Sequence, residues 1–179
     1  MSRKATYPIS NIILNRWSPR AMTGELITHD QLMTLFEAAR WAPSSYNNQP
    51  WRFLYALRNS AFWDLYFGLL VKANQEWVKN AAALAVLISR NNFEYNEKPS
   101  RTHSLDAGSA WENCALQGSI MGLAVHGLEG FDYDRAKTEL RIPDGYTVEM
   151  MFAVGHHADK GEMSDRKPLS EIVIEGFWK

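Results

Sequence analysis

Apolar residues recur at helical spacing at Leu32, Leu35, Phe36 and Ala39, and Thr28-His-Asp-Gln31 in front of them reads as a capping box. A helix is therefore expected over residues 28–40. A shorter pattern anchored by Ile12, Ile13 and Trp17 predicts a helix over 10–16, stopped where Pro19 removes a backbone donor. Trp51-Arg-Phe-Leu-Tyr-Ala-Leu57 is aromatic-rich and predicts a strand. Residues 60–79 hold no proline and a single glycine, Gly68, and read as mostly helical. Residues 81–89 are almost continuously apolar, as a central strand buried on both faces requires.

The longest helical pattern runs from Ser104 to about Val125. Leu105, Ala110, Trp111, Cys114, Ala115, Gln117, Ile120, Met121 and Ala124 leave little of its circumference polar, which suits a core or an oligomer interface. Gly108, Gly118 and Gly122 weaken such a helix, so each implies close backbone approach. Phe131-Asp-Tyr-Asp134 opens a short helix to about Arg141, Pro143-Asp-Gly145 is a turn, and residues 148–154 form a strand. Residues 90–101, polar and containing Pro99, predict a loop or lid, and 168–177 a helix or extended arm. With no repeat or linker, residues 1–179 form one domain.

Composition narrows the function by exclusion. The 179 residues carry a net charge of −1, which offers no electrostatic case for nucleic acid or an anionic membrane. The single cysteine, Cys114, excludes an intrachain disulfide and a cysteine-based zinc cluster, and no metal site is expected. The N-terminus lacks the apolar core of a signal peptide and no window is long enough to span a membrane, so a cytoplasmic protein is expected. Seven tryptophans imply large buried aromatic surfaces, in the core or at an interface.

Familiar catalytic constellations are missing. The dinucleotide fingerprint and the phosphate loop are absent, and no G-x-S-x-G elbow surrounds Ser44 and Ser45. Asp106 and Glu112, six residues apart, do not face each other on a helix. His156 and His157 are adjacent on a strand end and point to opposite sides. His103 and His126 have no acidic partner at ligand spacing, and His126 either bonds a ligand or caps a helix C-terminus. An enzyme built this way takes its chemistry from a cofactor.

Two segments suggest where one would sit. Arg16, Ser18 and Arg20 alternate across Pro19, so their side chains can converge as a phosphate clamp; the alternative is a solvated charged turn. Ala42-Pro-Ser-Ser-Tyr-Asn-Asn-Gln-Pro-Trp51 sets short polar side chains between two prolines that stiffen the backbone. That loop is either an ordinary polar connection or one wall of a site for a planar polar ligand.

Taken together, these motifs resemble the nitroreductase family of FMN-dependent oxidoreductases. Arg16-Trp-Ser-Pro-Arg20 looks like the family's R-x-S-x-R segment, and Pro43-Ser-Ser-Tyr-Asn-Asn-Gln-Pro-Trp51 is similar to its P-S-x-x-N-x-Q-P-W loop. Residues 106–123 resemble its long central helix, Gly127-Leu-Glu-Gly-Phe-Asp132 its segment near the flavin N5 and O4, and Arg166-Lys-Pro-Leu169 its C-terminal basic motif. A second basic residue common two positions before that arginine is here Ser164.

The resemblance implies an α+β fold with a central mixed, mostly antiparallel sheet flanked by helices and a long buried central helix. It implies an FMN site lined by Arg16, Trp17, Ser18, Arg20, Pro43, Ser44, Ser45, Asn47, Gln49, Leu128, Glu129, Gly130 and Arg166, completed at a homodimer interface. It also implies ping-pong hydride transfer from NADH or NADPH to a small oxidised acceptor, nitroaromatic or quinone-like, with FMN and no catalytic side chain carrying the hydride. Arg20 is the candidate for the N1 and C2-carbonyl edge of the ring and Arg16 for the phosphate. Other readings are another reaction on the same site (enone reduction, reductive dehalogenation or flavin fragmentation), a non-catalytic flavin-binding protein, or a flavin-free interaction domain.

Overall fold

The computed structural model of the chain describes residues 3–158 and 161–178. Its elements are α1 (Asn11–Asn15), α2 (His29–Arg40), β1 (Trp51–Leu57), α3 (Trp63–Leu69), α4 (Lys72–Val78), β2 (Ala83–Arg90), α5 (His103–Ile120), β3 (Leu123–Leu128), α6 (Tyr133–Glu139), β4 (Tyr146–His156) and α7 (Leu169–Ile172). The strands form one sheet in the order β1-β2-β4-β3, and each pairing is antiparallel. The fold is α+β, as expected, although no parallel pair occurs among the described strands.

β2 explains the layering. Ala83, Ala85 and Leu87 pack on one face with Leu32, Leu35 and Ala39 of α2 and Ala107, Ala110 and Cys114 of α5. Leu84, Val86 and Ile88 pack on the other face with Tyr66, Leu69, Val78 and Ala136. A strand with helices on both sides must be apolar throughout, which is the pattern in its sequence. Each fully buried leucine or valine here contributes about 1.5–3 kcal/mol.

Local signals set several boundaries. Thr28 and Gln31 close the predicted capping box in both directions, with bonds of 3.1 and 2.8 Å. Residues 60–79 are not one helix: Leu70 turns extended and bridges Phe131, while the Val71 amide donates to the Gly130 carbonyl at 3.0 Å. Tertiary pairing overrides helix propensity at that point, and it fixes the Gly130 backbone.

The long helix also ends earlier than its apolar pattern suggests. Met121 and Gly122 turn the chain, Gly122 at φ +70°, and residues 123–128 return as β3. A Cβ on Gly118 would lie 2.4 Å from Val125 Cγ2, so this glycine is where helix and returning strand touch. Gly108 has open space beside it within the chain. α5 is buried on one face and leaves Leu105 and Ile120 exposed, 71% and 58%, rather than being enclosed all round.

Candidate functional site

The first group of site residues forms where α1 ends. Arg16 takes an extended conformation, and the chain runs through a buried Pro19 to an exposed Arg20. Arg16 Nη1 donates to Ser18 Oγ at 3.4 Å, and its Nε lies 3.4 Å from Glu112 Oε1 on α5. Arg3, not singled out from sequence, donates through Nη1 to the carbonyls of Leu14 and Arg16 at 3.0 and 2.8 Å. Its Nε donates to the Ser164 carbonyl at 3.0 Å, and Arg166 Nη1 donates to Ser164 Oγ at 3.0 Å. The tail thus returns to the N-terminal segment, and Ser164 serves as a bridge between two arginines.

Positive charge is concentrated at this cluster. Burial, then the like charges of Arg166 and Arg16, lower the proton affinity of Arg3, and Asp165 opposes them. Arg3 Nη2 is buried without a hydrogen-bond partner. Three guanidiniums in mutual repulsion, one with an orphaned donor, are what a phosphate would satisfy. Arg3 and Arg166 line a cleft of about 460 Å³, and Trp17, Ser18 and Arg20 line a separate one of about 420 Å³ that Glu162 also borders.

A second group connects to the first through α4. The Arg20 guanidinium lies over the Trp77 ring, 5.9 Å from its centroid. Trp77 Nε1 donates to Asn74 Oδ1 at 3.1 Å, and Asn74 Nδ2 donates to the Gly130 carbonyl at 2.9 Å. Arg20 and the Leu128–Gly130 segment are thereby held on one framework, by two side chains that no sequence motif flagged. A Cβ on Gly130 would meet Asn74 Nδ2 at 2.6 Å, so the approach requires glycine.

His126 lies on β3 and caps no helix. Its ring is 4.5 Å from that of Trp77, and Nδ1 sits 3.1 Å from the Pro19 carbonyl. Burial depresses its pKa below the usual histidine value against the pull of the Pro19 carbonyl, which keeps it a neutral donor bracing the Arg16–Arg20 segment.

The third group, Pro43 to Gln49, lies elsewhere along α5. Tyr46, Asn47 and Gln49 have φ of 52°, 53° and 46°, so three non-glycine residues of this short loop are left-handed. The Ser45 amide donates to Asp106 Oδ2 at 3.1 Å, and the Gln49 amide to Ser44 Oγ at 3.0 Å. Asn48 pins residues 90–101 by accepting from the Glu94 amide at 2.9 Å, and the Tyr46 ring meets those of Phe93 and Tyr95. The cleft here, about 410 Å³, is lined by Tyr46, Asn47, Asn48, Gln49, Arg52, Glu94 and Tyr95. None of Arg16, Ser18, Arg20 or Leu128–Gly130 lines it.

A further cleft of about 400 Å³ lies beside Leu128 and Glu129, walled by Trp111, Tyr133, Glu149 and Met150. Behind it His103 has the acidic partner that its sequence neighbours do not offer: Nδ1 is 2.7 Å from Ser89 Oγ and 3.5 Å from Glu149 Oε1. Among the described residues, no cluster of histidine, cysteine and carboxylate side chains is arranged to hold a metal. No described helix is long and apolar enough to cross a membrane.

The fold has counterparts among known proteins. The chain is 42% identical to the crystal structure of an oxidoreductase containing FMN, with a TM-score of 0.94 over 99% of this chain and 96% of that one. It is 26% identical to a nitroreductase-family structure from Desulfovibrio desulfuricans solved in complex with FMN, at a TM-score of 0.78 over 98% and 100% of the two chains. A curated protein named NADH dehydrogenase from Thermus thermophilus is 25% identical over 96% of this chain and 98% of its own length. The Nitroreductase family model matches residues 13–64 and 61–156, and the chain belongs to the nitroreductase family.

Proposed function

We propose that two copies of this chain hold FMN between them and catalyse ping-pong transfer of hydride from NADH or NADPH to small oxidised acceptors, nitroaromatic or quinone-like. The observation that carries the reading is the cluster of Arg3, Arg16 and Arg166 with its orphaned buried donor. Its charge and forked donors fit the phosphate of FMN, and Trp17, Ser18 and Arg20 beside it would hold the rest of the cofactor's polar edge. The FMN-containing relatives support the same assignment.

The cofactor supplies reversible two-electron chemistry when bound, and the chain supplies binding, orientation and electrostatics. Arg20, steadied over Trp77, would place positive charge where a reduced ring accumulates negative charge. Gly130, pinned by Asn74, would present its backbone to the ring from one copy. The Pro43, Ser44, Ser45, Asn47 and Gln49 loop would come from the other, because within one chain its Asn47 and Gln49 line a separate cleft. Exposed Trp41, Leu105 and Trp178, at 72, 71 and 86%, give a second copy apolar surface to cover.

The purified protein should be yellow, and NADH or NADPH should bleach it anaerobically. A bound flavin that neither nicotinamide reduces would refute the reductase. Sedimentation should show dimers carrying the flavin, and monomers with full flavin occupancy would refute the shared site.

A further inference from the structure

Glu149 owes its position to a break in the sheet. β2 and β4 pair Leu87 with Met150 but Ile88 with Val148, so Glu149 is the extra residue of a β-bulge. A bulge turns two successive side chains to one face. Met150 packs with the α5-side core and Val148 with the opposite one, while Glu149 reaches residues of α5. The irregularity delivers a carboxylate to a face that strict alternation would have denied it.

There it joins a hydrogen-bonded array. Glu149 Oε1 accepts from Ser89 Oγ, and from Ser104 Oγ at 2.8 Å. Ser89, fully buried, is also 2.7 Å from His103 Nδ1. His103 and Glu149 are 20% and 18% exposed, so the array connects solvent to the interior. Glu149 also lines the cleft of Leu128 and Glu129, among the residues proposed above to face the flavin. The Trp111 indole N–H, from a residue lining that same cleft, is buried without a partner. Tyr133, also in the cleft, has its phenol pKa raised by burial and then by Glu129 and Glu149, and it stays a hydroxyl donor.

We propose that Glu149, backed by His103 and Ser89, is the proton source for acceptors reduced in this cleft, the quinone-like ones named above included. The inference rests on the flavoenzyme reading above. Reduction of a quinone to a quinol takes two electrons and two protons. One proton arrives with the electron pair as hydride, originally from the nicotinamide. The other passes from Glu149 to the quinone oxygen, forming an O–H bond, and the carboxylate is reprotonated through His103 from solvent. The groups facing Glu149 are Ser89 from β2, His103 and Ser104 from α5, and Glu129 and Tyr133 in the cleft.

The test compares two acceptors on the flavin-loaded protein: benzoquinone, which needs the proton, and ferricyanide, which takes electrons alone. Glu149→Gln should slow reoxidation by benzoquinone about 100-fold, the lower range for a lost general acid, and leave ferricyanide unchanged. His103→Gln, at the solvent end, should give the same split with a smaller loss, and it decides the matter where Glu149→Gln does not fold. Equal slowing with both acceptors means a structural role and overturns the proposal, as do unchanged rates with both. Infrared difference spectra of reduced against oxidised protein should show a carboxyl band that Glu149→Gln abolishes, and its persistence also overturns the proposal. Protein without flavin, or flavin that no nicotinamide bleaches, refutes the flavoenzyme reading instead, so the two failures are distinct.

Discussion

Asp106→Ala tests how the strained loop is held. Tyr46, Asn47 and Gln49 sit at positive φ, each costing about 1 kcal/mol or more. Such a loop persists only while its surroundings hold it. Asp106, 6% exposed in the first turn of α5, accepts from the Ser45 amide at 3.1 Å and from Thr102 Oγ1 at 3.3 Å. Hydrogen bonds to a charged group are worth about 1.5–3 kcal/mol. Asp106→Ala should therefore lower the opening free energy of residues 43–49 by about 1.5–3 kcal/mol, and Asp106→Asn, which keeps an acceptor, by about 1 kcal/mol. At about 1.4 kcal/mol per decade, the Ser45 amide should exchange with solvent roughly 10- to 140-fold faster in the alanine variant. Amide hydrogen exchange of the Ser45 region measures this directly, with urea unfolding to separate local from global loss. Wild-type exchange at Ser45 in a folded Asp106→Ala variant would show that Asp106 does not hold the loop.

Other perturbations probe the remaining supports. Arg20→Ala should weaken FMN binding about 10-fold or more in a fluorescence titration, since a hydrogen bond from a charged guanidinium is worth about 1.5–3 kcal/mol. Gly118→Ala gains about 1 kcal/mol of helix propensity but drives a Cβ to 2.4 Å from Val125 Cγ2, an overpacking cost of about 1–3 kcal/mol, so the urea midpoint should fall, and Gly118→Ala with Val125→Ala should recover it. Burial pushes the Cys114 thiol pKa up to about 12, above its unfolded value, so its share of stability is intact below about pH 9 and lost as pH rises toward 12. Cys114 should resist a thiol reagent at pH 8 in native protein and react on unfolding, and Cys114→Ala should flatten the alkaline loss of stability.

Sequence alone determined what depends on neighbours along the chain. The Thr28–Gln31 box, the apolar run of β2, the stiff loop between Pro43 and Pro50 and the extended Arg16–Arg20 segment are each written within a few residues, because caps, periodicity and proline act locally. Only tertiary structure decided what depends on residues far apart. The apolar pattern carried the long helix to residue 125, yet Gly122 and pairing with β4 made 123–128 a strand. Residues 60–79 split because Leu70 pairs with Phe131. Arg3 joins Arg166 across 163 positions of sequence (166 − 3), and Asn74 reaches Gly130 across 56. His103 finds Glu149 only because a bulge turns one side chain to the other face. Long-range contacts of this kind are set by how layers pack and strands register, and no local window encodes them.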